Sequence, residues 1–131
     1  MAKLIHTMIR VRDLDASLDF YRQVLKLEPA HRLDFPEFSL VYLRNAENDF
    51  EIELTYNKGC EEAYSHGDGY GHVAVAVDSV AQKHAELVKA GFSPLPIKEF
   101  KVGDELLARF FFIQDPDGYK IEVLERHGHY R

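Results

Sequence analysis

Apolar and polar residues follow the same sequence of patterns in both halves of the chain. In the first half, residues 3–11 alternate as in a β-strand, and Asp13 then stands as an N-cap before apolar residues at helical spacing. On this helix we expect Leu14, Leu18, Tyr21 and Leu25 to face the core. Pro29 and the mixed sequence after it are predicted to end this helix. Three further strands are predicted around 30–35, 38–44 and 49–56.

The second half repeats this order. A strand is predicted over 71–77, with Asp78 as the N-cap of a second helix that stops with Gly91 at its C-cap. The inward residues of this helix are predicted to be Val80, His84, Leu87 and Val88. Strands are predicted around 94–100, 106–114 and 119–125, the last two joined by a type I turn at Asp115-Pro116-Asp117-Gly118.

The repeated order predicts an α+β fold of two βαβββ modules, about 3–57 and 70–125. A glycine-rich joint at 65–69 separates them and is the one internal hinge that we expect. At 131 residues, 46% of them hydrophobic, the whole chain 1–131 is predicted to be a single domain.

Composition excludes several classes of partner. A formal net charge of −6, without a basic stripe, argues against a nucleic-acid surface. No apolar run approaches the length of a membrane span, and the first residues are too short and polar for a signal peptide. Cys60 is the only cysteine, so no disulfide can form within the chain. A cytoplasmic protein without a membrane or nucleic-acid partner is therefore expected.

The most informative chemistry is a histidine and a glutamate that occur at matched places in both modules. His6 and His72 lie in the first predicted strand of each module, and Glu53 and Glu122 lie between apolar residues of the last. A glutamate is almost never buried unless it is paired or metal-bound. Two imidazoles and two carboxylates suit one divalent cation, so the four residues are candidate metal ligands.

The other candidate residues do not repeat. Glu51 would share a strand face with Glu53, but Lys120 takes its place in the second half. Cys60 is predicted to be a bystander, because nothing nearby would lower its pKa. The other histidines before the C-terminal tail are predicted to have no ligand role; they are His31, His66 and His84. In the C-terminal tail, His127 and His129 are predicted to be solvated, and any metal binding there would be adventitious.

Five segments carry a resemblance to a known family. They are His6–Val11, Leu18–Tyr21, Ile52–Asn57, Tyr70–His72 and Asp115–Glu122. With the repeated βαβββ order, they resemble the vicinal oxygen chelate superfamily and, within it, glyoxalase I, over roughly residues 3 to 125. The resemblance implies curved mixed sheets around a metal site. The chain differs from some members in having Asp68 where they carry an arginine for glutathione, and in lacking their glycine-rich spacing over 98–105.

The resemblance also implies the site. His6, Glu53, His72 and Glu122 would hold the metal, and Arg10 and Asn57 would bind the glutathione moiety. One divalent ion per site is expected, with Ni²⁺ favoured because the short chain resembles the nickel-activated branch, while Zn²⁺, Co²⁺ or Mn²⁺ also suit the donors. The family forms homodimers with sites at the interface, although two modules of one chain would give an equivalent site.

The activity implied is that of a lactoylglutathione lyase. Such an enzyme isomerises the hemithioacetal of methylglyoxal and glutathione to S-lactoylglutathione through an enediolate. Glu122 would be the catalytic base, with Glu53 as its partner on the opposite side.

Two alternatives stay open at this point. One is another metalloenzyme of the superfamily, a thiol transferase, a dioxygenase or an epimerase. Transferases and dioxygenases need two histidines and one glutamate, so Glu53 argues against them. The other is a metal-free binding protein of the same fold, which has no reason to keep two His and two Glu.

Overall fold

Each half of the chain forms one helix and one four-stranded mixed sheet. The structure is a computed structural model that describes all residues from 1 to 131. In chain order the elements are β1 (His6–Val11), α1 (Leu14–Leu25), β2 (Glu28–Asp34), β3 (Phe38–Arg44), β4 (Glu51–Asn57), β5 (Val73–Val77), α2 (Val80–Lys89), β6 (Lys98–Val102), β7 (Glu105–Gln114) and β8 (Lys120–Glu125). The predicted βαβββ order is confirmed in both halves. Two compact units result, Met1–His66 and Gly67–Arg131, and their boundary falls within the predicted joint.

The two sheets have the same topology. The strand order is β1-β4-β3-β2 in the first unit and β5-β8-β7-β6 in the second. In each unit the first and last strands are parallel neighbours, and the remaining pairs are antiparallel. The last strand therefore lies between the first and third strands of its unit, so its side chains have neighbours on both sides.

One face of each sheet carries the apolar core. Ile9, Leu54 and Val41 are register partners across β1, β4 and β3, and all three are buried. In the second unit Val123 and Phe111 are partners and fully buried. Each such side chain contributes about 1.5–3 kcal/mol by leaving water. Because strand side chains alternate between faces, the residues next to these point to the opposite face.

Helix α1 begins as predicted but buries a different set of residues. The Asp13 carboxylate accepts a hydrogen bond from the backbone N–H of Ala16 at 3.0 Å, which confirms the N-cap. The fully buried residues are Leu14, Ser17, Phe20, Tyr21 and Val24, while Leu18 and Leu25, predicted to face inward, are half-buried. Pro29 does not end the helix: Lys26 does so, in the left-handed conformation (φ 57°), and Pro29 lies in β2.

Both predicted caps of α2 were off by one residue. Ser79 is the N-cap, because its hydroxyl accepts the N–H of Gln82 at 3.2 Å, whereas the Asp78 carboxylate pairs with Arg126. At the other end Ala90 is the C-cap, and Gly91 follows it with φ 92°. Val88, predicted to face inward, is 54% exposed.

Three predicted strands shift in the structure. β1 starts at His6 rather than residue 3, and β6 spans Lys98–Val102 rather than 94–100. β5 begins at Val73, so His72 precedes the strand in which it was predicted. The predicted turn after β7 is present, with the Gly118 N–H donating to the Asp115 carbonyl at 3.0 Å.

Neither helix has the length and apolar character needed to span a membrane.

Candidate functional site

The first unit brings His6 and Glu53 together. Glu53 is the register partner of Met8, and His6 lies two residues before Met8, hence on the same face of the sheet. The imidazole Nε2 of His6 is 3.1 Å from Oε1 of Glu53. Glu53 is only 8% exposed, so its charge is buried beside the imidazole.

The second unit repeats this arrangement. Glu122 is the partner of Ala74, and His72 again lies two residues before that partner. The Nε2 atom of His72 is 3.4 Å from Oε1 of Glu122. His72 thus occupies the place of His6 although it precedes its strand.

Both pairs fit adjacent positions around one divalent ion. Nitrogen and oxygen ligands lie about 2.0–2.2 Å from such an ion, which puts neighbouring ligands roughly 3.0–3.4 Å apart for octahedral to tetrahedral angles. The observed separations of 3.1 and 3.4 Å fall in this range. The same separations suit a hydrogen bond, so the repetition of the pair in both units is what favours a metal.

The four predicted ligands thus occur as two pairs, one in each unit. No group of three or more His, Cys, Asp and Glu side chains in the structure is arranged to hold a metal ion.

An aromatic side chain accompanies each pair, and sequence analysis missed both. Tyr42 is the register partner of Glu53, and its ring contacts that of His6 edge-to-face, with centroids 5.6 Å apart. Phe112 is the partner of Glu122 and contacts His72 in the same way at 5.3 Å. The sequence holds no direct signal for these contacts, because they depend on which strands become neighbours.

Two residues with hydroxyl groups flank Glu53. Thr55 Oγ1 donates to Oε2 of Glu53 at 3.3 Å, and Tyr42, the register partner of Glu53 on β3, lies on the same face of the sheet. Burial raises the pKa of Tyr42, and the negative charge of Glu53 raises that pKa further. Tyr42 therefore remains a protonated donor at neutral pH. Thr55 could have been found from sequence, since it lies two residues from Glu53 and hence on the same strand face.

Comparison with known proteins fits this geometry. The sequence profile of the Glyoxalase/Bleomycin resistance protein/Dioxygenase superfamily matches residues 3–123. The chain belongs to this superfamily.

Relatives within the superfamily are similar over nearly the full length. A lactoylglutathione lyase of Haemophilus influenzae is 40% identical over 128 residues, covering 94% of this chain and 92% of that protein. The lactoylglutathione lyase of Escherichia coli O157:H7 is 38% identical, with 94% and 92% covered. The structure of a trypanothione-dependent glyoxalase I from Leishmania major matches with a TM-score of 0.76 at 35% identity, covering 95% and 87%. The sequence-based family assignment and the glyoxalase fold are confirmed.

The two predicted glutathione-binding residues of this superfamily member lie on adjacent strands. Arg10 in β1 is the register partner of Thr55, and Asn57 ends β4 two residues later. The Asn57 amide donates to the Tyr64 hydroxyl at 3.3 Å. A hydrogen bond with Cys60 raises the pKa of Tyr64 and burial adds to this, while Asn57 and the charge of Arg10 lower that pKa. Arg10, Asn57 and Cys60 therefore all influence the pKa of Tyr64, a residue that sequence analysis did not select.

A cavity of about 570 Å³ lies in the second unit. Its walls include Phe92, Leu95, Phe112 and Lys120. This volume is in the range of small-molecule sites. Because Phe112 also contacts His72, the cavity shares a wall residue with the second His–Glu pair.

Most histidines outside the pairs have contacts of their own. His84 Nε2 lies 3.0 Å from the Leu95 carbonyl, and His127 Nε2 lies 2.8 Å from that of Leu106. His31 was predicted to have no ligand-like surroundings, yet its ring lies against Tyr42 at 5.8 Å. The structure thus places His31 against the ring that also contacts His6.

Proposed function

We propose that this chain is a lactoylglutathione lyase, which isomerises the hemithioacetal of methylglyoxal and glutathione to S-lactoylglutathione. The observation that carries the proposal is the repeated His–Glu pair, at 3.1 and 3.4 Å in the two units. Full-length similarity to proteins named lactoylglutathione lyase supports the same reaction.

We further propose that both pairs together hold one divalent metal ion. His6 and His72 would supply nitrogen, and Glu53 and Glu122 oxygen, from one chain or from two subunits. When bound, the ion would act as a Lewis acid where negative charge develops during the reaction, which contributes several kcal/mol. Ni²⁺ is the ion that we favour for this donor set, with Zn²⁺, Co²⁺ and Mn²⁺ as the others to test.

Glu122 is the proposed catalytic base. Its carboxylate would take the proton from the hemithioacetal carbon and return it to the neighbouring carbon, which was the ketone carbon of methylglyoxal. The intermediate between the two transfers is an enediolate. The hemithioacetal carbon is oxidised to a thioester while its neighbour is reduced to an alcohol, so no redox cofactor is needed. Proton transfer by a positioned carboxylate contributes roughly 10²–10⁴-fold to the rate. Glu53 is proposed as the matching carboxylate on the opposite side.

Arg10 and Asn57 are the proposed substrate-binding residues. The Arg10 guanidinium can bind a carboxylate of the peptide thiol, and the Asn57 amide can donate to or accept from its peptide groups. Glutathione is the proposed thiol. Trypanothione is the alternative to test, because a similar structure is that of a trypanothione-dependent enzyme.

A metal-reconstitution assay tests the reaction. Chelator-treated protein receives Ni²⁺, Co²⁺, Mn²⁺ or Zn²⁺ separately, with methylglyoxal and either glutathione or trypanothione, and thioester absorbance is followed. We expect turnover with glutathione and at least one metal. One equivalent of bound metal without thioester from either thiol would contradict the lyase and leave the metal site in place.

We also propose a cytoplasmic homodimer whose sites are shared between subunits. Variants His6→Ala and His72→Ala would each be inactive alone. If each site takes one pair from each subunit, a mixed dimer regains one intact site, so mixing and refolding the two variants restores part of the activity. No recovery, with dimers present by light scattering, would show that each site belongs to one chain. Cytoplasmic placement is checked by cell fractionation.

A further inference from the structure

The two His–Glu pairs differ in the hydroxyl groups near the glutamate. The positions that flank Glu53 across the sheet and along its strand are Tyr42 and Thr55. The matching positions around Glu122 are Phe112, its register partner, and Leu124, two residues further along β8. Neither of these two side chains carries a hydroxyl group.

The Tyr42 ring contacts two histidine rings. His6 contacts it edge-to-face at 5.6 Å, and His31, its register partner on β2, lies against it at 5.8 Å. Phe112 contacts His72 edge-to-face at 5.3 Å and Phe110, two residues earlier on its own strand, at 5.9 Å. Both rings therefore contact the histidine of their own pair, and only Tyr42 adds a hydroxyl group.

We propose that Tyr42, with Thr55, is a positioning residue that anchors the Glu53 carboxylate, so that Glu122 is the carboxylate of the site that can move. This inference rests on the proposed function, in which both glutamates bind one metal ion. A carboxylate only accepts hydrogen bonds, so the Thr55 hydroxyl donates to Glu53, and the Tyr42 hydroxyl would donate to it from the neighbouring strand. Hydrogen bonds to charged acceptors are the stronger ones, so these two donors would restrain Glu53 from two directions.

The anchoring explains how two chemically identical ligands take different roles. A base must approach and leave the substrate carbon, which a carboxylate restrained by two donors does poorly. Glu53 is also 8% exposed, whereas Glu122 is more exposed. The hydroxyl asymmetry thus assigns the static role to Glu53 and the proton-transfer role to Glu122.

The test exchanges the hydroxyl between the two units. Tyr42→Phe gives the first unit the aromatic residue of the second, and Phe112→Tyr is the matched reverse variant. Affinity for Co²⁺ is measured by competition with a chromophoric chelator, and the visible absorption of the bound Co²⁺ reports its ligand geometry. We expect Tyr42→Phe to weaken binding roughly 10–100-fold and to change the spectrum, as loss of an outer partner of a ligand does.

The reverse variant should have a different signature. In Phe112→Tyr the new hydroxyl restrains Glu122, so kcat should fall while Co²⁺ affinity and KM stay close to those of the wild type. Thr55→Val and Thr55→Ser form a second comparison, in which the valine variant loses Co²⁺ affinity and the serine variant, which keeps its hydroxyl, retains it. A purely structural role for Thr55 would give the opposite order, because valine keeps the branched shape that serine lacks.

The outcomes separate this inference from the lyase proposal. Co²⁺ affinity and spectrum within twofold of wild type in both Tyr42→Phe and Thr55→Val would overturn the anchoring role, whatever the activity. The wild type binding Co²⁺ without forming thioester would overturn the lyase alone, since the affinity comparisons still test the anchor. A wild type that binds no Co²⁺ would overturn both. Thermal melts of the apo variants verify that each is folded.

Discussion

The Nε2 atom of His72 lies 3.4 Å from Oε1 of Glu122, although His72 precedes the first strand of its unit and Glu122 lies in the last. The parallel pairing of β5 with β8 makes this contact, because it aligns Ala74, two residues after His72, with Glu122. The same relationship, produced by β1 and β4, joins His6 to Glu53.

Glu122→Gln should abolish most turnover. The amide keeps the shape of the side chain but cannot take a proton, so we expect a loss of roughly 10²–10⁴-fold in kcat. Thioester formation with saturating metal measures it. Glu51→Gln is the control, since Glu51 pairs with Arg44 at 3.8 Å and lacks a matching acid in the second unit. A Glu122→Gln enzyme as active as the control would remove Glu122 as the base.

Arg10→Ala and Asn57→Ala should raise KM for the thiol adduct with little change in kcat. Each removes a contact to the part of the substrate that does not react, and a lost hydrogen bond to a charged group corresponds to roughly tenfold or more. Arg12→Ala is the control, because the Arg12 guanidinium donates to the Glu61 carbonyl at 3.4 Å. Equal KM values in all three variants would place the thiol elsewhere.

Leu54→Ala should destabilise the protein by about 2–5 kcal/mol, because it leaves a cavity in a fully packed core. Leu54 has no exposed surface and lies between Ile9 and Val41. Val88→Ala, at a position that is 54% exposed, should change the free energy of unfolding by less than about 0.5 kcal/mol. Urea unfolding of the apo protein compares them. Similar losses in both variants would contradict the burial of Leu54.

Ser79→Ala should cost about 0.5–2 kcal/mol, the usual loss for an N-cap hydroxyl. The Asp78→Ala change should cost less, because the Asp78 carboxylate pairs with Arg126 at the surface and caps nothing. Thermal unfolding of the two variants decides which residue caps α2. A larger effect at Asp78 would restore the cap expected from sequence.

Much of the fold followed from the chain alone. Alternation and helical spacing are local properties, so the repeated βαβββ order and the Asp13 cap could be predicted from nearby residues. The caps of α2 were each missed by one residue because adjacent polar groups compete, and Ser79, not Asp78, reaches the Gln82 N–H. The buried side of α1 was predicted incompletely, since Ser17, Phe20 and Val24 are buried as well, while Leu18 and Leu25 are only half-buried.

The sequence by itself determined the candidate donors, because a histidine and a glutamate recur at matched places in both modules. Only the tertiary structure decided which side chains surround them. Tyr42 reaches Glu53 because β3 pairs with β4 in one register, and a shift of one residue would turn Tyr42 to the opposite face. Such registers arise from contacts between distant strands, so the hydroxyls around Glu53, and their replacement by Phe112 and Leu124 near Glu122, become evident only in the folded chain.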